Sequence, residues 1–239
     1  MTLNKTKIEW CDDTGNPVTG CLHQKQGVCK IPCYASKISM RFHGHFNPEF
    51  HPERLKDFER RHTHSSIFVC SMSDLFGNWV KYEWQKAVFD AALGTPWHTY
   101  LFLTKNPEGM LEAQKKYYFS DLKEDDERDL FNAITWWGTS VTGAEDAWRI
   151  DMLKEMRSKN CFISFEPLLS DPGPLDLFGI RQVIIGAQTN PSNYVALEWV
   201  MKICEAADRA GAKVFMKDSL AGRWPDRELR RELCWTVRK

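Results

Sequence analysis

Nowhere in its 239 residues does the chain hold eighteen consecutive apolar residues, so no segment reads as a membrane-spanning helix. An apolar leader is missing too: Met1-Thr-Leu-Asn-Lys-Thr-Lys7 is polar and charged, so the expected compartment is the cytoplasm, with no membrane partner. There is no net charge, because 32 Lys and Arg balance 32 Asp and Glu. The whole-molecule field therefore says nothing for or against a polyanion, and a local basic groove would vanish in that sum. No linker, repeat or low-complexity tract interrupts the chain, which predicts a single domain over 1–239 with 221–239 as a C-terminal extension. Finally, among eight cysteines there is no Cys-x-x-Cys pair. That removes the common knuckle of a structural zinc site, and in a cytosolic chain thiols or metal ligands are expected over disulfides.

What is present is a concentration of thiols. Cys21, Cys29 and Cys33 fall within thirteen residues, in a loop punctuated by Gly15, Pro17, Gly20 and Gly27, after a first expected strand at Lys7-Ile-Glu-Trp10. Three soft thiolates can hold a [4Fe–4S] cluster and leave one iron without a protein ligand. Zinc takes four ligands, and Cys11 or His23 is available in sequence as the fourth, so both readings stand at this point. Cys70, Cys161 and Cys204 lie in apolar runs and are expected as small buried hydrophobes.

Beyond the loop, β-rich runs alternate with helical periodicity. Strands are predicted at Ile67–Ser71, Thr99–Thr104, Ile134–Ser140, Cys161–Phe165, Gln182–Gly186 and Lys213–Lys217. Most are continuously apolar, as in strands covered on both faces. Helices are predicted at Lys81–Leu93, Pro107–Tyr118, Ala144–Ser158 and Tyr194–Ala210, with Pro107 at a first helical position and Gly211 as a stop. Only the step from Cys161 to Gln182 lacks a helix; there Pro167, Pro172, Gly173 and Pro174 imply a stiff loop. The fold class is therefore α/β, a parallel (β/α) partial or complete TIM-like barrel with the cysteine loop after its first strand. The acidic stretch Asp121–Asp129 is expected as a solvated loop, and the charged tail, with Trp224 and Trp235, as a terminal helix and strand. Arg227, Arg230 and Arg231 in that tail are read as a solvated face.

Parallel α/β folds bind ligands at the carboxyl ends of their strands. The polar residues there are Ser71, Ser73 and Asp74, then Thr104-Lys105-Asn106, Ser140 and Thr142, Glu166, Gln188-Thr189-Asn190 and Lys217-Asp218-Ser219. One polar pocket explains so many in register. Lys105 and Lys217 can pair with a phosphate or carboxylate, or act as acid and base if desolvated. Lys105, Glu166 and Lys217 are the candidate catalytic residues. His43, His45 and His51 can border the mouth of a site, and Trp79, Trp84 and Trp97 read as aromatics able to stack on bases.

The order of strand, three-cysteine loop and alternating barrel resembles the radical S-adenosylmethionine (radical SAM) enzymes. The segments Gly20-Cys21…Cys29…Cys33-Tyr34-Ala35, Phe68–Gly77, Leu103-Thr-Lys-Asn-Pro107, Trp137-Gly-Thr-Ser-Val141 and Phe165-Glu-Pro-Leu168 are similar to the phage-associated three-cysteine-motif family, itself radical-SAM-like. The resemblance runs from about Trp10 to Lys217. It implies a [4Fe–4S] cluster on Cys21, Cys29 and Cys33, with S-adenosylmethionine on the open iron as source of a 5′-deoxyadenosyl radical. By position, Ser71, Ser73 and Asp74 match the region that holds the methionine amine in such enzymes, and location makes Ser140, Glu166 and Gln188 candidates for the ribose, carboxylate or adenine. The implied partners are S-adenosylmethionine, an unidentified substrate for which a nucleotide or nucleic acid is one class, and a protein encoded by a neighbouring gene. The spacing departs from the usual radical SAM pattern of Cys-x3-Cys-x2-Cys: it is seven residues and then three, with Pro32 before the last cysteine and Tyr34 after it. Two other functions compete. One is a zinc- or cluster-stabilised module that binds nucleic acid or protein without catalysis; the other is a barrel hydrolase or lyase using Asp74, Glu166 and Lys217.

Overall fold

The computed structural model describes residues 3–189, 192–224 and 228–238. Two compact units are present, Met1–Thr135 with Val237–Lys239, and Trp136–Thr236.

The first unit runs through β1 (Asn4–Lys5), β2 (Asp13–Gly15), β3 (Val18–Thr19), α1 (Tyr34–His43), β4 (Glu49–Phe50), α2 (Lys56–Glu59), β5 (Ser66–Val69), α3 (Tyr82–Leu93), β6 (Thr99–Thr104), α4 (Pro107–Lys116) and α5 (Asp125–Ile134). Strands β2, β5 and β6 pair in parallel, with Gly15 opposite Val69 and Val69 opposite Phe102, so their carboxyl ends lie level. β1 pairs antiparallel on the far edge of β2, and β3 with β4 forms a separate antiparallel ribbon. The core is aromatic: Phe89 of α3 lies 5.5 Å from Phe102 and from Phe131 and 5.1 Å from Tyr117, ring centre to ring centre. Gln85, Val88, Phe89 and Ala92 recur at helical spacing and bury one face of α3.

Three expectations are corrected here. Lys7–Trp10 is not a strand; the first parallel strand is β2, and Trp10 is buried against Phe68, centroids 4.9 Å apart. β2 escaped a hydrophobic reading because it opens on buried Asp13, whose carboxylate accepts from Ser65, Arg61 and Arg238. The acidic stretch is only partly a loop. Glu124 and Glu127 form a reciprocal capping box, acids crowd the positive end of the helix, and buried Phe131 and Ile134 fix α5 to the core. α1 was not foreseen at all.

The second unit contains β7 (Thr135–Ser140), α6 (Trp148–Lys154), β8 (Cys161–Phe165), β9 (Gln182–Ile185), α7 (Leu197–Ala210) and β10 (Lys213–Met216). β7 to β10 pair in parallel in that order. The expected helix over Ala144–Ser158 shrinks to a 3-10 turn at Ala144–Asp146 and the short α6. No α-helix links β8 to β9, as the prolines required. Gly211 ends α7 in the left-handed conformation.

The tail corrects two further expectations. It contains a 3-10 turn at Asp218–Arg223 and an antiparallel bridge from Arg231 to Phe215 on the open edge of β10. Each parallel run thus ends in antiparallel pairing, at β1 in the first unit and at Arg231 in the second, so a completely closed parallel barrel is ruled out. The α/β class and the parallel pairing stand. Arg230 pairs with Asp208 and Glu232, and Arg231 with Asp218; Arg227 lies outside the described residues. Trp235 is buried against Trp136 and Phe162. Among the described residues no helix is long and apolar enough to cross a membrane.

Candidate functional site

The cysteine loop is fixed at its start by backbone. Gly20 has φ +79°, and a side chain there would place Cβ 1.9 Å from the Asn47 carbonyl oxygen, so only glycine fits. Its N–H donates to the Met72 carbonyl (3.1 Å), and the Gly20 carbonyl accepts from the Ser73 hydroxyl (2.6 Å). Cys21 therefore leaves from a point bound to the segment that follows β5.

The next fixing point is a buried hydrogen bond. His23 Nε2 lies 2.7 Å from Asp74 Oδ2, and both residues are buried. Asp74 also accepts from the Thr104 hydroxyl (2.7 Å) and from the backbone N–H groups of Lys105 (2.9 Å) and Phe76 (3.0 Å). Burial by itself would raise this carboxyl, but His23, the Lys105 N–H and Thr104 together hold it below its ordinary value. The His23 carbonyl then accepts from Val28 and Cys29, folding the loop back on itself, and Cys33 sits at the start of α1.

All three thiols are unoxidised and partly exposed. Burial pushes the Cys21 thiol up to about 12, with Asp74, Cys29 and Cys33 adding to the rise and the His23 backbone opposing it. Cys29 and Cys33 thus each lie within electrostatic reach of Cys21. A thiol so placed forms a thiolate only against a compensating cation, and soft thiolates are what an iron–sulfur cluster takes. No three His, Cys, Asp or Glu side chains among the described residues are already gathered at chelating distance.

Ser71, Ser73, Asp74 and Lys105 cluster with this loop, but three of them face inward to build it. The Ser71 hydroxyl donates to Asn16 Oδ1 (3.2 Å), which also accepts from the Met72 N–H (2.9 Å). Lys105 is half-buried, and its ammonium is in no ion pair among the described residues. Sequence reasoning missed Asn16, Thr104 as an Asp74 donor, and the Tyr34 hydroxyl, which donates to the Ser71 carbonyl (2.9 Å). It raised His23 only as a metal ligand. Position gave the one available signal, since His23 lies between Cys21 and Cys29.

Beside the carboxyl end of β2 is a cavity of about 290 Å³, lined by Asn16, Thr19, His43, His45, His51 and Met72 among others. His43, His45 and His51 thus share one cavity. His51 Nε2 lies 2.8 Å from the Thr19 hydroxyl, and burial followed by Arg54 lowers its pKa. A larger cleft of about 550 Å³ lies between α3 and α4, and of the strand-end polar residues Asn106 lines it. Of the three tryptophans, only Trp97 is exposed, with its indole N–H on the Arg61 carbonyl. Trp79 packs edge-on against His23, and Trp84 stacks on Phe50.

The second unit has its own strand-end set. The Lys217 ammonium, after β10, donates to the Glu166 carboxylate, after β8. Both side chains are largely covered and lie over Gly186 at the end of β9, where a Cβ would stand 3.0 Å from Lys217 Cδ and 3.2 Å from Glu166 Cγ. Ser140 is buried and its carbonyl accepts from Arg149 (2.9 Å); the Gln188 N–H donates to Asn193 Oδ1 (2.8 Å). Thr142 caps the following turn through Asp146, which makes it structural. Asn190 lies outside the described residues. Cys70, Cys161 and Cys204 are buried as expected.

Comparison with known proteins adds a family and a fold. The chain belongs to the family described as "Protein of unknown function (DUF5131)", which matches residues 5–234. No curated protein matches it. Among solved structures it is similar to spore photoproduct lyase complexed with dinucleoside spore photoproduct, at 11% identity and a TM-score of 0.54, over 90% of this chain and 79% of that one. A tyrosine-to-phenylalanine variant of that lyase gives 11% identity and a TM-score of 0.55, over 89% and 78%. A cysteine-to-serine variant gives 11% and 0.54, over 91% and 80%. At this identity the likeness is one of fold.

Proposed function

We propose that this chain is a radical SAM-type enzyme whose [4Fe–4S] cluster is held by Cys21, Cys29 and Cys33. One observation carries the reading: Cys11 is buried on the amino-terminal side of β2, whereas the loop leaves its carboxyl side, so the one further cysteine near the loop in sequence lies away from the three thiols. His23 is held through Nε2 on Asp74, with its Nδ1 left without a hydrogen-bond partner. A three-thiolate site keeps one iron open for a second cofactor. The likeness of fold to spore photoproduct lyase, a radical SAM enzyme, supports the same reading.

When bound, the cluster and S-adenosylmethionine supply one-electron, hydrogen-abstracting chemistry. The residues of this chain do the rest. His23 and Asp74 hold the loop, and Gly20 and Ser73 tie its start to the end of β5. Asn16 and Ser71 form the floor from which Met72 enters the adjoining cavity, our proposed place for part of S-adenosylmethionine. Ser71, Ser73 and Asp74 then act on that cofactor chiefly by positioning the loop. Ser140, Glu166 and Gln188 remain the proposed contacts for its ribose, carboxylate or adenine. Lys105 and the Lys217–Glu166 pair are the proposed groups that hold or move a proton. The lyase neighbour is complexed with a dinucleoside, and a nucleic acid is the corresponding substrate class proposed here.

Cys11→Ser tests the ligand set. The variant is expected to retain the full iron and sulfide content of the wild type after anaerobic reconstitution, while Cys33→Ser loses most of it. Metal loss from Cys11→Ser would make the site four-ligated and closed, and would end the open-iron reading.

A further inference from the structure

Between Asp13 and Glu49 the chain carries no acidic residue, yet it carries Lys25, Lys30, Lys37 and Arg41. In a chain of zero net charge, that is a local concentration of one sign. All four side chains are exposed, and Lys25, Lys37 and Arg41 are in no ion pair among the described residues. The same segment holds α1, which buries only Ala35.

Of ten exposed large apolar side chains among the described residues, four lie on this one helix: Tyr34 (56% exposed), Ile38 (44%), Met40 (54%) and Phe42 (69%). At 3.6 residues per turn, Lys37, Arg41, Tyr34, Ile38 and Phe42 sweep a single arc of about 140°. Cations line one edge of that arc and aromatic rings the other. The Arg41 guanidinium already sits over the Phe42 ring, 5.6 Å from its centre. An exposed ring backed by a guanidinium is a stacking platform for a base, and the neighbouring cations suit its phosphates.

We propose that this arc of α1, with Lys25 and Lys30 of the preceding loop, is a docking face for single-stranded nucleic acid. The proposal deepens the functional reading and rests on it for the link to chemistry, because α1 begins at Cys33 and the docked strand would lead to the thiols. Charge complementarity selects a polyanion. The aromatic edge selects a single strand, since bases in a duplex have no free face to offer.

The test is fluorescence anisotropy of the full chain, both cluster-reconstituted and metal-free, with a labelled oligothymidylate of about fifteen nucleotides. Binding is expected to weaken steeply between about 50 and 200 mM salt, and Lys37→Gln/Arg41→Gln to reduce the log–log salt slope by about 1.4. Phe42→Ala is expected to weaken binding about tenfold with the slope unchanged. An unaltered slope in the double variant overturns the proposal. So does duplex binding as tight as the single strand with Phe42→Ala neutral, or binding to anionic phosphatidylserine vesicles in place of the oligonucleotide. Metal content is measured on the same samples. Loss of docking leaves it unchanged, and failure of the cluster leaves metal-free binding unchanged, so the two readings fail separately.

Discussion

Reconstituted and reduced with dithionite in the absence of air, the chain is expected to convert S-adenosylmethionine to 5′-deoxyadenosine and methionine, and Cys21→Ala to abolish that conversion. Loss of a partner beyond the metal's own ligands commonly costs 10- to 100-fold, so loss of a ligand should cost at least about a hundredfold. Cys21 is an informative position because it follows directly on Gly20, whose N–H and carbonyl are bound to Met72 and Ser73. A chromatographic assay for 5′-deoxyadenosine reads the outcome. Equal product from wild type and Cys21→Ala would detach the chemistry from the loop.

Asp74→Ala carries the second large effect. The carboxylate is buried and receives His23, the Thr104 hydroxyl and two backbone N–H groups. Removing it leaves His23, the Thr104 hydroxyl and two backbone N–H groups without their acceptor, and each buried donor so orphaned costs about 1–3 kcal/mol. Against the 5–15 kcal/mol that holds typical domains folded, this is a large fraction, visible as a fall of about 10 °C in Tm. The cysteine loop should loosen with it and lose iron on reconstitution. The pH dependence follows from the direction of the shift. Asp74 titrates lower in the folded protein than its ordinary 3.8, so its contribution is complete above that value and disappears as pH falls through the lower, folded one. Asp74→Asn should remove that acid-limb dependence. Denaturant unfolding checks both, and a Tm unchanged in Asp74→Ala would show that the pair does not anchor the loop.

The parts of this molecule that were legible in its sequence are those where burial alone decides. β6 and β8 occupy the predicted spans, because the apolar residues of each run are mostly buried. β2 was illegible for the opposite reason: Asp12 and Asp13 are buried carboxylates satisfied by Ser66, Ser65, Arg61 and Arg238, partners up to 226 positions away. α1 presents Tyr34, Ile38 and Phe42 at helical spacing but leaves them exposed and buries only Ala35, so its apolar stripe does not belong to the core that the sequence reading traced. α5 was obscured by its acids, which cap it and offset its dipole while looking like a solvated run.

In the candidate site the cysteines were visible from spacing, and the strand-end residues from the logic of parallel sheets. Their division of labour was not. That Ser73 and Asp74 hold the loop depends on the close approach of Gly20 to Asn47 and on the pairing of His23 with Asp74, both contacts between segments distant in sequence.

The central claim is an open three-thiolate cluster, and anaerobic iron and sulfide analysis with EPR of the reduced chain tests it most directly. The comparison is a Cys21→Ala/Cys29→Ala/Cys33→Ala variant, each protein measured with and without S-adenosylmethionine. The account predicts about four irons per chain, as a [4Fe–4S] cluster requires, lost in the variant, and a signal that shifts when S-adenosylmethionine is added. Zinc in place of iron, or a cluster signal indifferent to S-adenosylmethionine, would contradict it.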